Sequence, residues 1–142
     1  MVINQGDIYR VDPGEPSGSA PGYRHPFVVV QNNIFNRSSI DTVIVCSLTS
    51  NLKRAKSPGN IMLVPGEAGL SKQSVINISQ IYTVDKGDLG NKIGTLGPER
   101  ILEVLDGIKL ILMPKDIGPG IDAAIEREDE RYRDLESCYL MP

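Results

Sequence analysis

The apolar residues of this chain come in short, β-branched bursts, none longer than about five residues, and Gly, Pro, Asn and Asp punctuate the gaps. Bursts of that size make ordinary strands. They are too short for any helix to span a bilayer, so no membrane partner is expected. Strands are predicted at Ile8–Val11, Pro26–Gln31, Thr42–Leu48 and Ile61–Val64. Ser74–Ser79 and Gln80–Val84 carry the same signal, and Ile93 sits in a weaker strand between Gly90 and Gly97. Neither Pro26–Gln31 nor Thr42–Leu48 alternates polar with apolar, which points to burial on both faces. Asn32–Arg37 reads as a turn or short helix.

The period changes after Gly97. Pro98 and Glu99 form a helix start, with proline at the first helical position and an acid in the first turn. Ile101, Leu102, Leu105, Ile108 and Leu112 recur at helical spacing, which predicts one buried face, and Pro114 stops the helix. The fold expected is α+β and mainly β: a small SH3-like barrel, or a strongly bent antiparallel sheet, carrying a C-terminal helix.

Charge divides the chain in two. Residues 1–113 carry eleven Lys and Arg against ten Asp and Glu, while residues 114–142 carry four against eight. The overall charge of −3 therefore resides in the tail and leaves a slightly positive body, which remains compatible with a polyanionic partner. The domain expected is 1–113, followed by an acidic, helical or flexible tail, 114–142, whose segment Ile121–Ser137 is charged. The N-terminus has neither a basic start nor an apolar stretch, which argues against a secretory signal. Cys46 and Cys138 stand 92 positions apart and make no disulfide framework. A reducing cytoplasm is the simpler setting. One histidine and no CxxC argue against a zinc site.

The common enzyme fingerprints are missing: the chain has no GxGxxG, Walker A, HExxH or GxSxG sequence. Chemistry-bearing residues stand instead at strand ends: Arg24 and His25, Thr49, and Ser79 with Gln80. The bases Arg37, Lys53, Arg54 and Lys56 are candidates to lie near them. Each group also has a structural role open to it, as a packed loop histidine, a strand-ending threonine, a turn cap or a solvated surface. The segment Pro13–Gly22 reads as a ten-residue loop long enough to carry function.

Several segments in order, GDIYRVD, PGYRHPFVVVQNN, VIVCSLTSN, SVINISQIYTVDK and ERILEVLDGIKLIL, resemble the MazF/PemK (Kid-like) toxin endoribonucleases over residues 5–113. The resemblance implies a cytoplasmic homodimer of small barrel-like subunits. It implies metal-independent cleavage of single-stranded RNA at short motifs without a cofactor, growth arrest, and control by a cognate antitoxin whose acidic segment fills the RNA groove. On this resemblance the catalytic threonine is Thr49. The family's catalytic arginine, directly before the strand's proline, is replaced by His25, with Arg24 one residue earlier. The acid before the family's Gln is replaced by Ser79, ahead of Gln80. Arg37, Lys53, Arg54, Lys56, Ser79 and Gln80 are the RNA-binding candidates. Histidine is the better proton shuttle near neutral pH, its reference pKa being about 6.5. The alternatives are a gyrase-poison-like toxin on the same architecture, disfavoured because the chain has no Trp, and an inactive binding module, left open by Ser79.

Overall fold

The computed structural model describes residues 2–11, 25–115 and 118–128. The chain divides into two units, Met1–Ile111 and Leu112–Pro142.

In the first unit six strands form one antiparallel sheet: β1 (Asp7–Val11), β2 (His25–Val29), β3 (Thr42–Thr49), β4 (Ile61–Met62), β5 (Val75–Asp85) and β6 (Leu89–Thr95). Their spatial order is β4-β5-β3-β2-β1-β6. Of the two forms expected, the chain adopts the sheet, open between its edge strands β4 and β6. Helix α1 (Asn33–Asn36) joins β2 to β3, and helix α2 (Pro98–Leu112) follows β6. The Asn32 side chain caps α1 by accepting from the Ile34 N–H at 2.8 Å.

Both faces of the central strands are buried, as their unbroken apolar runs require. One face holds Ile8, Val28, Val30, Cys46, Leu48, Ile76 and Ile78, and α2 covers it through Val104, Ile101 and Ile108. The other holds Tyr9, Val11, Phe27, Val29, Val43, Val45 and Leu89. Alternation along each strand assigns even-numbered residues of β1, β2 and β3 to the first face and odd-numbered ones to the second.

Three expectations change in detail. The two β signals at Ser74–Ser79 and Gln80–Val84 belong to one strand, β5. It pairs with β3 as Ser47↔Asn77 and then Cys46↔Ile81, so Ile78, Ser79 and Gln80 form a three-residue bulge. The odd excess reverses the facing of β5: Ile76 enters the helix-covered core before the bulge, Ile78 within it and Ile81 after it. Strand β4 stops at Met62 rather than Val64, although Leu63 N–H still donates to Ser74 O at 3.0 Å before the chain turns through Gly66 at φ +80°.

The third change is the helix face. Leu102 and Leu112 are 63% and 71% exposed, while Val104 and Gly107 are buried. Gly107 causes this. A Cβ there would lie 2.9 Å from Gly59 O and 3.0 Å from Ile78 Cγ1, so the bare glycine lets α2 seat closely against the bulge. The contact stripe consequently runs along Val104 and Gly107, with Ile101 and Ile108 beside it.

A buried carboxylate locks β1 to β6. Asp7 is 1% exposed. Its Oδ1 accepts from Thr95 Oγ1 at 2.8 Å and pairs with Lys92 Nζ at 3.3 Å, and its Oδ2 accepts from Asn4 N–H at 3.0 Å. A carboxylate removed from water needs such a full set of partners. Burial, then the Asp7 charge beside it, raise the pKa of the Tyr9 hydroxyl above its ordinary value.

In the second unit, residues 121–128 are helical, opening at Gly120, whose carbonyl accepts from Ala124 N–H at 3.2 Å. Residues 129–137 of the expected tail helix lie outside the described residues, as do the loop Pro13–Gly22 and Arg24. Among the described residues no helix is long and apolar enough to cross a membrane.

Candidate active site

His25 is the first residue of β2 and Thr49 the last of β3. The pairs Phe27↔Ser47, Val28↔Cys46 and Val29↔Val45 fix the register, and continuing it sets His25 opposite Thr49. Residues opposite one another in an antiparallel pair share a face, with Cβ atoms about 5 Å apart. Pro26 precedes the core residues of β2 and brings no N–H to the ladder. His25 is half-buried. Its Nδ1 lies 3.3 Å from Leu48 O, and its ring meets Phe27 edge-on at 6.3 Å. A proton on Nδ1 donates to Leu48 O and leaves Nε2 as the basic ring nitrogen. Thr49 Oγ1 accepts from Asn51 N–H at 3.2 Å, which leaves its own proton for donation elsewhere.

The polar residues of the bulge continue this face. Asn77 stands opposite Ser47, one same-face step from Thr49. Its Oδ1 accepts from Ser79 Oγ at 3.0 Å and from Asn60 Nδ2 at 3.3 Å. Asn60 also accepts from Ile78 N–H at 2.9 Å and donates to Arg54 O at 2.9 Å. One asparagine thus ties the bulge to the basic 3-10 turn Leu52–Lys56 that follows β3. Lys53, Arg54 and Lys56 are exposed on that turn. Gln80 is half-buried in the bulge.

Arg37 goes elsewhere. It follows α1, at the far end of β2 and β3 from His25 and Thr49, and its Nη2 donates to Asn4 Oδ1 at 3.0 Å. The structure therefore brings together His25, Thr49 and the Asn77–Ser79 network, sets the Leu52–Lys56 turn beside them, and leaves Arg37 apart.

Sequence reasoning missed Asn60 and Asn77, and it also missed Arg10 and Lys72. A cleft of about 310 Å3 opens at the same end of the sheet, lined by Arg10, His25, Lys72 and Ser50 among others. Among the described residues no Asp or Glu lines it, and Thr49 does not reach it. Arg10 had a legible signal: it stands two residues from Ile8, so strand alternation puts a guanidinium on the face of a fully buried side chain. Lys72 had none, because a lysine in a turn reads as ordinary surface. Among the described residues no group of three or more His, Cys, Asp or Glu is placed to hold a metal ion.

Cys46 has no part in the site. Cys46 is buried, its Sγ donates to Asn77 O at 3.1 Å, and burial pushes its thiol pKa up to about 12.

Among the described residues the cleft carries cations and no carboxylate, at the strand ends of an open antiparallel sheet, and its potential favours anions. The model of a family described as PemK-like, MazF-like toxin of type II toxin–antitoxin systems matches residues 4–112. The chain belongs to that family. Endoribonuclease MazF6 of Mycobacterium tuberculosis is 38% identical over 112 residues, covering 79% of this chain and 98% of that protein. Endoribonuclease EndoA of Bacillus subtilis is 35% identical over 112 residues, covering 79% and 96%. The fold also matches a solved mycobacterial endoribonuclease in complex with its cognate antitoxin, with a TM-score of 0.65 at 24% identity, covering 80% of this chain and 98% of that one. The gyrase-poison and inactive-module alternatives find no support among these relatives.

Proposed function

We propose that the chain is a metal-independent, sequence-specific endoribonuclease toxin that cleaves single-stranded RNA by attack of the 2′-OH on the adjacent phosphorus. RNA carries its own nucleophile, so the protein must supply a base for the 2′ proton, an acid for the departing 5′ oxygen and donors for the phosphate oxygens. His25 takes the 2′ proton at Nε2, with its Nδ1–H steadied by Leu48 O, and the imidazolium so formed returns that proton to the departing 5′ oxygen. Thr49 donates to a non-bridging oxygen. Arg24 supplies the second positive charge, and Lys53, Arg54 and Lys56 hold flanking phosphates beside Ser79 and Gln80. The products are a 2′,3′-cyclic phosphate and a 5′-OH.

The observation that carries this reading is that His25 opens β2 and Thr49 closes β3, each two residues beyond the Phe27↔Ser47 pair, with His25 Nδ1 at 3.3 Å from Leu48 O. The toxin acts in the cytoplasm as a homodimer. Its partner is an antitoxin whose acidic segment competes with RNA for the cationic surface. Residues 1–113 carry the activity, and the tail 114–142 takes no part in the chemistry.

The test is cleavage of a single-stranded RNA pool by pure protein in EDTA, with 5′-OH ends mapped. His25→Ala lowers the rate about 10²–10⁴-fold, the usual range for a general acid or base. His25→Arg keeps appreciable activity but loses the pH inflection of the wild-type rate, whereas Thr49→Ala lowers the rate and leaves the inflection in place. A fully active His25→Ala protein, or cleavage that stops on chelation, would overturn the mechanism.

A further inference from the structure

The cleft beside His25 has a composition that the roles above do not use. Arg10, Pro26 and Leu48 form one wall, because the β1–β2 register sets Arg10 opposite Pro26 on the even-numbered face. Leu70, Ser71, Lys72 and Ser74 form the facing wall. The cations elsewhere in this body are often committed: Lys92 to Asp7, Arg100 to Glu67 and Glu103, Arg37 to Asn4, and Lys86 to the carbonyls of Asn36 and Ser38. The side-chain cations of Arg10 and Lys72 have no hydrogen-bond or ion-pair partner among the described residues, yet both residues line the cleft. A half-buried guanidinium with no carboxylate is costly to the fold, and two uncommitted cations in one concavity focus positive potential there.

Local backbone geometry is built around Arg10. Tyr9 pairs with Lys92 but Val11 pairs with Leu89, so β6 carries one extra residue across from Arg10. Gly90 makes this approach possible, since a Cβ there would lie 2.8 Å from Arg10 O. A second irregularity between Ile8 and Tyr9 leaves Ile93 unpaired, and Ile93 also lines the cleft. Both bulges lie in β6, on either side of the Tyr9–Lys92 pair, so β6 bends where it passes Arg10.

We propose that Arg10, with Lys72 across from it, binds a backbone phosphate of single-stranded RNA next to the one being cleaved. The planar fork of Arg10 takes two phosphate oxygens, and the Lys72 ammonium completes the neutralisation. His25, which lines the same cleft, fixes the distance between this phosphate and the reacting one. The assignment rests on the ribonuclease reading above. It adds a positioning subsite that acts on substrate binding rather than on proton transfer.

The experiment measures binding and cleavage separately. Binding is read by fluorescence anisotropy with a mixed-sequence single-stranded 2′-deoxy oligonucleotide, which offers phosphates without the nucleophile, across a series of salt concentrations. Arg10→Ala weakens binding about tenfold or more, as expected for lost hydrogen bonds to a charged group. It also flattens the slope of log Kd against log salt by about 0.7, one phosphate contact on a single strand. Lys72→Ala flattens the slope similarly with a smaller change in affinity. Arg10→Lys folds with its charge in place, keeps the slope and binds more weakly than wild type. Lys109→Ala, an exposed cation on α2, changes neither quantity. On an RNA substrate, Arg10→Ala raises KM and leaves kcat within about threefold of wild type.

Unchanged affinity and slope in both Arg10 variants would overturn the assignment. So would oligonucleotide binding at wild-type strength together with lost affinity for a poly-glutamate peptide, which would make the cleft a site for protein carboxylates. Failure of the wild type to cleave RNA, with Arg10-dependent binding intact, would instead remove the ribonuclease reading and leave a phosphate-binding cleft.

Discussion

Replacing Gly107 by alanine sets two effects against each other. In an isolated helix the change gains about 1 kcal/mol, because alanine restricts the unfolded chain and glycine does not. In this protein the new methyl would stand 2.9 Å from Gly59 O and 3.0 and 3.3 Å from the Ile78 side chain. Ordinary contact requires α2 to retreat by about 0.5 Å, and a gap of that size forfeits a quarter or more of each dispersion contact it opens. The side chains that lose contact are Val104, 2% exposed, with Ile101 and Ile108 beside it. Overpacking of this kind costs about 1–3 kcal/mol, so we expect a net loss of up to about 2 kcal/mol after the helix gain. For a chain of this size that lowers Tm by up to about 8 °C. Calorimetry on Gly107→Ala beside Asp106→Ala decides the matter. Asp106 is exposed one position earlier on the same helix, and its replacement tests helix propensity without the contact. A Tm for Gly107→Ala above wild type, as helix propensity alone would give, would refute the close approach of α2 to the bulge.

Asn60→Ala removes acceptance from Ile78 N–H and donation to Asn77 and Arg54; urea unfolding should show a loss of about 2 kcal/mol, and RNA cleavage should fall with it. Glu67 accepts from Arg100 at 2.9 and 3.1 Å, and these bonds hold its carboxyl below the ordinary value of 4.5. Its stabilisation is therefore present above the unfolded pKa and is lost as pH falls through the folded one. The stability gap between wild type and Glu67→Gln, measured by denaturation from neutral pH down to pH 3, should shrink on the acid side; a constant gap would mean that the carboxylate is not what Arg100 reads. Cys46, with its thiol pKa near 12, should resist iodoacetamide at pH 8 in a Cys138→Ser background until the protein is unfolded; rapid alkylation of native protein would show that the core opens.

The sequence made β3 plain, because Thr42–Leu48 is β-branched and uninterrupted, and it made α2 plain through Pro98 and the helical repeat. The lateral pairing of strands was not legible. Nothing local in β2 or β3 says that His25 lies opposite Thr49, since that depends on a register set by the whole ladder. Leu102 and Leu112 misled for a related reason. Helical spacing marks an apolar stripe, but the rotation of that stripe was decided by Gly107, whose contact with Gly59 and Ile78 is long-range. Arg37 looked like a partner for the strand-end residues because it is near them in sequence, yet β2 carries the chain to the opposite end of the sheet before Arg37 is reached. Arg10 was visible as a charge in step with Ile8, but a five-residue strand offers too few repeats to tell a cleft-facing arginine from a solvent-facing one.

The odd number of residues in the β5 bulge also guards against strand slippage. A straight ladder beyond Ser47↔Asn77 would pair Val45, which is fully buried, with Ser79, and would turn Tyr82 and Val84 away from the core they now adjoin. The misaligned sheet is penalised along its whole length, so the bulge cannot anneal away during folding. Deleting Gln80 alone would cancel that protection. Ile76, Ile78 and Ile81 would fall into unbroken alternation, and β5 could slide along β3 with every aliphatic side chain still facing the right way. A single lost residue would thereby give the chain two competing alignments, and only one of them keeps Ser79 beside Asn77 at the end of the sheet that carries Thr49.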